Sequence, residues 1–437
     1  MSTSVNKEPV ITSTNFEFSA DFAAAQDNAD PLSRFREQML FPKVRGKEAL
    51  YFVGNSLGLQ PRSASQAVND EMQRWAEMGV EGYTRGDAPW FDLHKRFAKG
   101  LALYTGARES EVCVMGSLTG NLHAMLTSFF TPNGKRNKII MEAGAFSSDY
   151  YALSSQLKLH GLDVGSCLIE LFPAEGEATL QPQAIIEAIN ATGDELALVM
   201  MGGVNYYTGQ RYDMEAITRA AHGVGAKAGF DLAHAIGNIE LNLHDWDVDF
   251  AVWCHYKYLN AGPGAIAGFF VNERYASKPG LPRLEGWWGC DPAERFKMKK
   301  EFTPTPGAAG WMMSCLPAVA MAPQQAALEQ MVDAGPENLF LKRDKLTAYL
   351  WYCLKEVEAS TGVEVKILTP EDPAMRGAQL SVVIDRGKEV FDQLYDLGVI
   401  CDWREPEVIR LAPVPLYNSY TDVYLFSKIL RDILFKR

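Results

Sequence analysis

The chain has 437 residues, 47% of them apolar and 22% charged, the make-up of an ordinary globular protein with core enough for two or three domains or one large α/β unit. Lysine and arginine total 42 against 54 aspartates and glutamates, a net charge of -12, and no basic run is long enough to follow a phosphate backbone, so nucleic acid is excluded as the expected partner. Seven scattered cysteines without a C-x-x-C spacing argue against a disulfide framework or a zinc knuckle and for a reducing compartment, and no apolar run approaches membrane-spanning length. With no basic-then-apolar leader in its first residues, the chain is expected to be cytoplasmic and free of membrane contact.

Residues 1–29 are polar and without periodicity, and are expected to form a loosely held, flexible arm. Asp30-Pro31 reads as an acidic N-cap with proline at the first helical position, which would place Leu32, Phe35, Met39 and Leu40 on one stripe. An apolar strand is expected over 50–53, opening into the turn Gly54-Asn55-Ser56-Leu57-Gly58. That turn matches G-x-S-x-G, the nucleophile elbow of serine hydrolases. The elbow needs a central strand before it and a helix straight after, and Pro61 delays the helix, so a tight turn or a substrate-contacting loop fits better. A helix is expected over 63–78, and a Gly-rich loop then leads to an amphipathic helix carrying Phe91, Phe97, Leu101 and Tyr104 as core residues.

The stretch 112–130 reads as a strand (112–115), a small-residue turn (116–121) and a helix (122–130). Backbone N–H groups and the helix dipole there suit an anion such as phosphate, with Thr119 adding a hydroxyl, and the missing P-loop lysine disfavours a nucleoside triphosphate. A strand over 138–142 follows. Phe146 then sits beside Ser147, Ser148 and Asp149 at a helix start, where its ring could cover a flat ligand or merely staple the helix end. Helix 181–190, strand 196–201, helix 213–224 and strands 226–230, 250–254 and 265–271 continue the alternation. Fully apolar strands in β-α-β order predict a mostly parallel sheet with helices on both faces. The G-x-G-x-x-x-G at Gly262, Gly264 and Gly268 precedes a strand and is therefore no dinucleotide fingerprint.

Beyond Gly286-Trp287-Trp288-Gly289 come a basic patch and a Pro/Gly-rich loop, then a helix-rich stretch over 316–359. Strands 363–368 and 379–384, helix 389–397, strand 408–411 and helix 421–435 make a second, smaller α+β pattern. The expected organisation is an arm (1–29), an N-terminal segment packing with the small domain (30–65), a large cofactor-binding domain (66–315) and a small C-terminal domain (316–437). Arg410 is a cation on an otherwise apolar strand and needs a partner or an anionic ligand.

The chemistry concentrates in residues 226–264, where two apolar strands end in polar residues: Asp231 with His234, and His255-Tyr256-Lys257. Ligands of open parallel sheets collect outside the carboxyl ends of strands, so this acid and this amine would face one crevice. A lysine amine attacks carbonyl carbon, and a buried aspartate suits the protonated ring nitrogen of pyridoxal phosphate. Taken singly, each residue is more often a solvated strand end or half of an ion pair than a functional group. Three rivals stand beside this reading: a cysteine desulfurase using Cys290, Cys315 or Cys401, a serine hydrolase acting through Ser56, and a binding protein with a metal held by Asp231, His234 and His255.

The segments GNSLGLQP (54–61), GSLTGNLH (116–123), GAFSSD (144–149), YYTGQ (206–210), GFDLAHAIGNIEL (229–241), HYKYLNAGPGAIAGFF (255–270), GWWG (286–289), RFKM (295–298) and IRLAPVPLYNS (409–419) closely resemble the kynureninase family. These are pyridoxal-phosphate enzymes of aminotransferase fold type I, class V-like, and the resemblance spans nearly all of the chain beyond the arm. It implies hydrolytic Cβ–Cγ cleavage of L-kynurenine or 3-hydroxykynurenine to anthranilate or 3-hydroxyanthranilate and L-alanine, in tryptophan catabolism, by a homodimer with shared active sites and no metal.

Carried over by position, the resemblance implies that Lys257 bonds to the cofactor and moves the substrate α-proton, Asp231 pairs the ring nitrogen and His234 lies beside them. Phe146 would stack on the ring, followed by Ser147, Ser148 and Asp149 as further cofactor contacts. Leu118, Thr119, Tyr256 and Trp287 would hold the phosphate, Trp287 from the neighbouring subunit, with Tyr256 also a proton donor. Arg410 would bind the substrate α-carboxylate, helped by Asn55 and Ser56. The chain departs from the animal members at Tyr83, where they carry a His near the substrate ring, at Cys315, where they carry an Asn, and at Gly202, which replaces a Ser beside the cofactor. These departures bear on the choice between kynurenine and its 3-hydroxy form.

Overall fold

The computed structural model describes residues 16–276, 278 and 280–436. Seven strands form the main sheet: β1 (Val112–Val114), β2 (Lys138–Glu142), β3 (Leu168–Leu171), β4 (Leu196–Gly202), β5 (Lys227–Asp231), β6 (Phe250–Trp253) and β7 (Gly268–Val271). Their order is β1-β7-β6-β5-β4-β2-β3, and only β7 runs antiparallel to its neighbours. Strands β4 to β7 are mostly apolar and almost wholly buried because helices cover both faces, while the edge strand β3 is fully buried only at Leu168 and exposes Glu170. That partial burial is why β3 has no clear signal in the sequence as a core strand. Strand β7 returns antiparallel beside β6 after the loop 254–267.

A second sheet, β8 (Val365–Ile367), β9 (Leu380–Ile384), β10 (Asp402–Arg404) and β11 (Val408–Leu411), is antiparallel throughout in the order β8-β9-β11-β10. Its core is built with the helices Pro336–Thr361 and Tyr420–Phe435 through Leu350, Leu354, Val365, Leu380, Phe426 and Leu430. Strand β10 lies where no strand is expected from the sequence, because its residues are only half-buried and include two charges.

The N-terminal segment departs from expectation twice. The region read as an unstructured arm contains the helix Ala20–Asn28, capped by the Ser19 side chain on Phe22 N–H at 3.2 Å; residues 1–15 of that arm lie outside the described residues. Three consecutive alanines favour helix without making an apolar stripe, and one of them, Ala23, is wholly buried in the C-terminal core. The helix expected from Pro31 to Leu40 is reduced to Ser33–Arg36. Met39–Leu40 is instead extended and pairs antiparallel with Gln60–Pro61, which leaves Leu40 partly exposed while Leu32, Phe35 and Met39 are buried.

Leu50–Tyr51 pairs in parallel with Val399–Ile400, and Val53 bridges Ala412, so residues more than 340 positions apart share one backbone ladder. Among the described residues no helix is long and apolar enough to cross a membrane.

The helix Ala20–Asn28 also caps the last helix: the Asp27 carboxylate accepts from Tyr420 N–H at 2.7 Å and Thr421 N–H at 3.0 Å. Asp27→Ala removes a charged acceptor from a helix N-terminus and is expected to destabilise the fold by about 1–2 kcal/mol, read as a lowered denaturation midpoint in urea.

Candidate active site

Three neighbouring strands place a chemically distinct residue at their carboxyl ends: Glu142 closes β2, Gly202 closes β4 and Asp231 closes β5. The loop after β6 carries His255, Tyr256 and Lys257 to the same edge, as the crevice rule for open sheets requires. A cavity of about 210 Å³ opens there. Of the residues expected from the sequence, Asn55, Ser56, Leu118, Thr119, Phe146, Ser148, Asp149, Gly202, Asp231, His234, Tyr256, Lys257 and Arg410 line it. Glu142, Val204, Tyr206, Ala233 and Arg404 line it as well and were not anticipated. Glu142 ends the apolar run KIIM and was open to the same strand-end reasoning that singled out Asp231. Arg404 was not, because its place follows from the pairing of β10 with β11.

Asp231 is buried and accepts from Ala233 N–H at 2.7 Å. Burial raises its pKa and the nearby Lys257 opposes that shift. Asp149, also buried, is pushed well above the usual carboxylate range by burial, then by the charges of Asp231 and Glu142, and it donates its proton toward Asp231. Glu142 accepts from Gly202 N–H at 3.1 Å, and burial pushes it up to about 7. Lys257 Nζ lies 2.8 Å from His234 Nε2. Burial, followed by the charges of Lys257, Arg410 and Arg404, holds His234 well below its ordinary value, so the ring is neutral and accepts from the lysine.

The helix Leu118–Phe129 begins at the cavity, one turn earlier than its apolar pattern suggested, because Ser117 caps it by accepting from Gly120 N–H at 3.3 Å. Thr119 therefore falls in the first turn, beside the unpaired N–H groups, with its hydroxyl 2.8 Å from that of Ser148. Phe146 stands just before the helix Ser147–Leu159, half exposed and edge-on to Tyr206 at 5.4 Å. Burial pushes the Tyr256 phenol well above its ordinary value, so it keeps its proton and remains a donor.

Arg410 marks the third corner. Its Nη1 donates to Tyr206 C=O at 2.6 Å, its Nη2 donates to Ser56 Oγ at 3.1 Å, and it forms an ion pair with Asp402. Asn55 Nδ2 donates to Gln379 Oε1 at 2.9 Å. The Gly54–Gly58 turn enters this corner because only glycine fits at both ends: a Cβ on Gly54 would strike Val414 and Tyr417, and one on Gly58 would strike Asn260 and the Lys257 carbonyl.

Four expected residues fall outside the cavity lining. Ser147 opens its helix between the lining residues Phe146 and Ser148 without lining the cavity itself, and Tyr83 and Cys315 contact each other at 3.7 Å. Trp287 lies in a separate depression with Cys290 and Arg295, its indole N–H donating to Arg295 C=O at 3.1 Å.

Two rival readings do not survive the geometry. Ser56 Oγ donates to Asp402 at 2.5 Å with no histidine on it, and no helix starts between the turn and Ala64, so the turn is not a nucleophile elbow. His255 is committed on both ring nitrogens, Nδ1 to Ile266 C=O at 2.6 Å and Nε2 as acceptor from Trp253 at 3.2 Å, so it cannot join Asp231 and His234 around a metal.

The residues present fit pyridoxal phosphate. Three buried carboxyls face one amine, Asp149 Oδ1 and His234 Nδ1 are buried without partners, and a helix N-terminus with two hydroxyls borders the same space. A flat ligand with a cationic ring nitrogen and a phosphate supplies what each of these groups lacks.

In the cofactor-free protein the carboxyl cluster makes stability depend on pH. Glu142 titrates near 4.5 unfolded and about 7 folded, so the native state binds the extra proton between these values and its stability falls as pH rises through that window. Asp149 and Asp231 act in the same direction. Urea denaturation of the apoprotein from pH 4.5 to 7.5 is expected to show this decline, and Glu142→Gln to make it shallower.

Similarity to known proteins agrees with this geometry. The family model "Aminotransferase class-V" matches residues 51–278, and "Kynureninase C-terminal domain" matches residues 341–430. The chain is 49% identical over 417 residues to a kynureninase of Christiangramia forsetii, covering 95% of this chain and 98% of that one. It is also 49% identical over 418 residues to a kynureninase of Myxococcus xanthus, with 95% and 97% covered. Among solved structures, a cystine C-S lyase bound to cysteine persulfide superposes with a TM-score of 0.72 at 16% identity, covering 87% of this chain and 97% of that one. A cysteine desulfurase of Thermococcus onnurineus superposes with a TM-score of 0.71 at 16% identity, covering 89% and 95%. At that identity the two structures speak for the fold alone, that of the type I pyridoxal-phosphate enzymes. The near full-length identity to its curated relatives decides the family, and the chain belongs to the kynureninases.

Proposed function

We propose that the cavity at the carboxyl edge of the main sheet is where this chain, a pyridoxal-phosphate-dependent hydrolase acting on carbon–carbon bonds, cleaves the Cβ–Cγ bond of L-kynurenine. The observation that carries the assignment of roles is the shared cavity of Lys257, Asp231 and Arg410. Bound pyridoxal phosphate supplies the electron sink that makes carbanion chemistry beside the substrate nitrogen accessible. Lys257 is the residue that holds the cofactor and then moves the substrate α-proton, with neutral His234 orienting its amine. Asp231, backed by the proton on Asp149, faces the cationic ring nitrogen. Thr119 and Ser148 bind phosphate at the helix N-terminus together with the Tyr256 phenol, which is also the proton donor. Arg410 takes the substrate α-carboxylate, with Asn55 and Ser56 shaping that corner. Water adds to the γ-carbonyl, the Cβ–Cγ bond breaks, and anthranilate and L-alanine leave.

The same reading places the chain in the cytoplasm as a homodimer. Trp287 is 45% exposed and stands away from its own chain's cavity, which supports a role in completing the site of the partner subunit. The Tyr83–Cys315 contact is the place where the choice between kynurenine and 3-hydroxykynurenine would be set.

Lys257→Ala is expected to lose the visible absorption of the bound cofactor and at least about a thousandfold in anthranilate release from kynurenine. Anthranilate release at the wild-type rate would refute the assignment.

A further inference from the structure

The corner that faces the substrate carboxylate contains more charge than one arginine. Arg404 and Arg410 both line the cavity, while Asp402 stands behind them, outside the lining. Strands β10 and β11 pair Asp402 directly opposite Arg410, which puts the two side chains together on one face of the sheet. A single oxygen of Asp402, Oδ2, accepts from Ser56 Oγ at 2.5 Å, from Arg404 Nη2 at 3.2 Å and from Arg410 Nη2. The Asp402 side chain is 13% exposed and that of Arg410 1%, so these contacts are little screened by water. Each guanidinium keeps a buried Nε without a partner.

We propose that Asp402 is the positioning residue of the substrate-carboxylate site and that Arg404 is its second cation. Two guanidiniums against one carboxylate leave a single unbalanced positive charge, the complement of one α-carboxylate. Asp402 fixes Arg410 from one side while the Tyr206 carbonyl fixes it from another, 2.6 Å from Nη1, so the remaining N–H groups meet the ligand already oriented. Arg404 is the more exposed of the two, at 39%, and reaches the ligand from the cavity mouth. The inference rests on reading Arg410 as the carboxylate anchor.

The test compares L-kynurenine with its α-carboxamide, which keeps the amine and the aryl ketone and lacks only the negative charge. Affinities are read on the cofactor-loaded protein from the change in visible absorption on mixing, for the wild type, Asp402→Asn and Arg404→Gln. The wild type is expected to prefer the acid, and Asp402→Asn to cut the acid-to-amide preference by about tenfold or more, with the amide affinity and the resting cofactor spectrum little changed. Arg404→Gln is expected to cut the preference by about threefold or more. General loosening of the fold would weaken acid and amide together, and that result overturns the proposal. Tighter binding of the acid to Asp402→Asn also overturns it, since Asp402 would then compete with the ligand instead of supporting its site. An unchanged preference in either variant overturns it while leaving the Arg410 reading intact, and Arg404→Gln alone decides if Asp402→Asn does not fold. A wild type that binds acid and amide equally removes the Arg410 reading and this inference together.

Discussion

Burying three carboxyls around one amine is the constraint on which this site depends. Glu142, Asp149 and Asp231 are each less than a tenth exposed and border one cavity with Lys257. Charges of like sign in a low-dielectric space repel strongly, so without a further cation some of these groups must keep their protons. Burial raises the pKa of all three, and repulsion from neighbouring carboxylates adds to the shift at Asp149 and Glu142. A ligand bearing a positive ring nitrogen relieves the repulsion, so cofactor binding and the protonation of this cluster are two aspects of one electrostatic balance. Neutral His234 belongs to the same balance: with Lys257, Arg404 and Arg410 nearby, a further positive charge on its ring would be unfavourable.

The backbone brings this about by simple means. Parallel strands end at a common edge, so Glu142, Gly202 and Asp231 stand side by side although up to 60 residues separate neighbours in the sequence. The absence of a side chain at Gly202 matters locally, because a Cβ there would lie 3.0 Å from Glu142 Oε1, at the limit of what packing tolerates. The acid at position 142 and the glycine at position 202 are therefore coupled through one contact.

The carboxylate corner has a different origin. It is assembled from the first sixty residues and from the small sheet, joined through the pairing of Leu50–Tyr51 with Val399–Ile400 and the bridge between Val53 and Ala412. A lever of this kind lets the Asn55-Ser56 turn reach Arg410 and the loop before Lys257 at once, with Gly58 N–H bonded to the Tyr256 carbonyl at 2.8 Å. Packing of the two layers against each other thus sets the spacing between the proton-transfer groups and the carboxylate anchor.

Read alone, the amino-acid order determined the alternation of apolar strands and helices, the mostly parallel sheet, and the candidates Lys257, Asp231, Thr119 and Arg410, because burial leaves a strong local imprint: apolar runs of strand length ending in charge. The same imprint at KIIME marks Glu142. It could not reveal the helix Ala20–Asn28, whose only fully buried residue is a small alanine, nor the strand β10, which is half-buried and charged. Tertiary structure alone decided that Asp402 faces Arg410 and that Arg404 joins the cavity. Those facts follow from strand register and layer packing, long-range relations that leave no periodic trace in a single chain's order of residues.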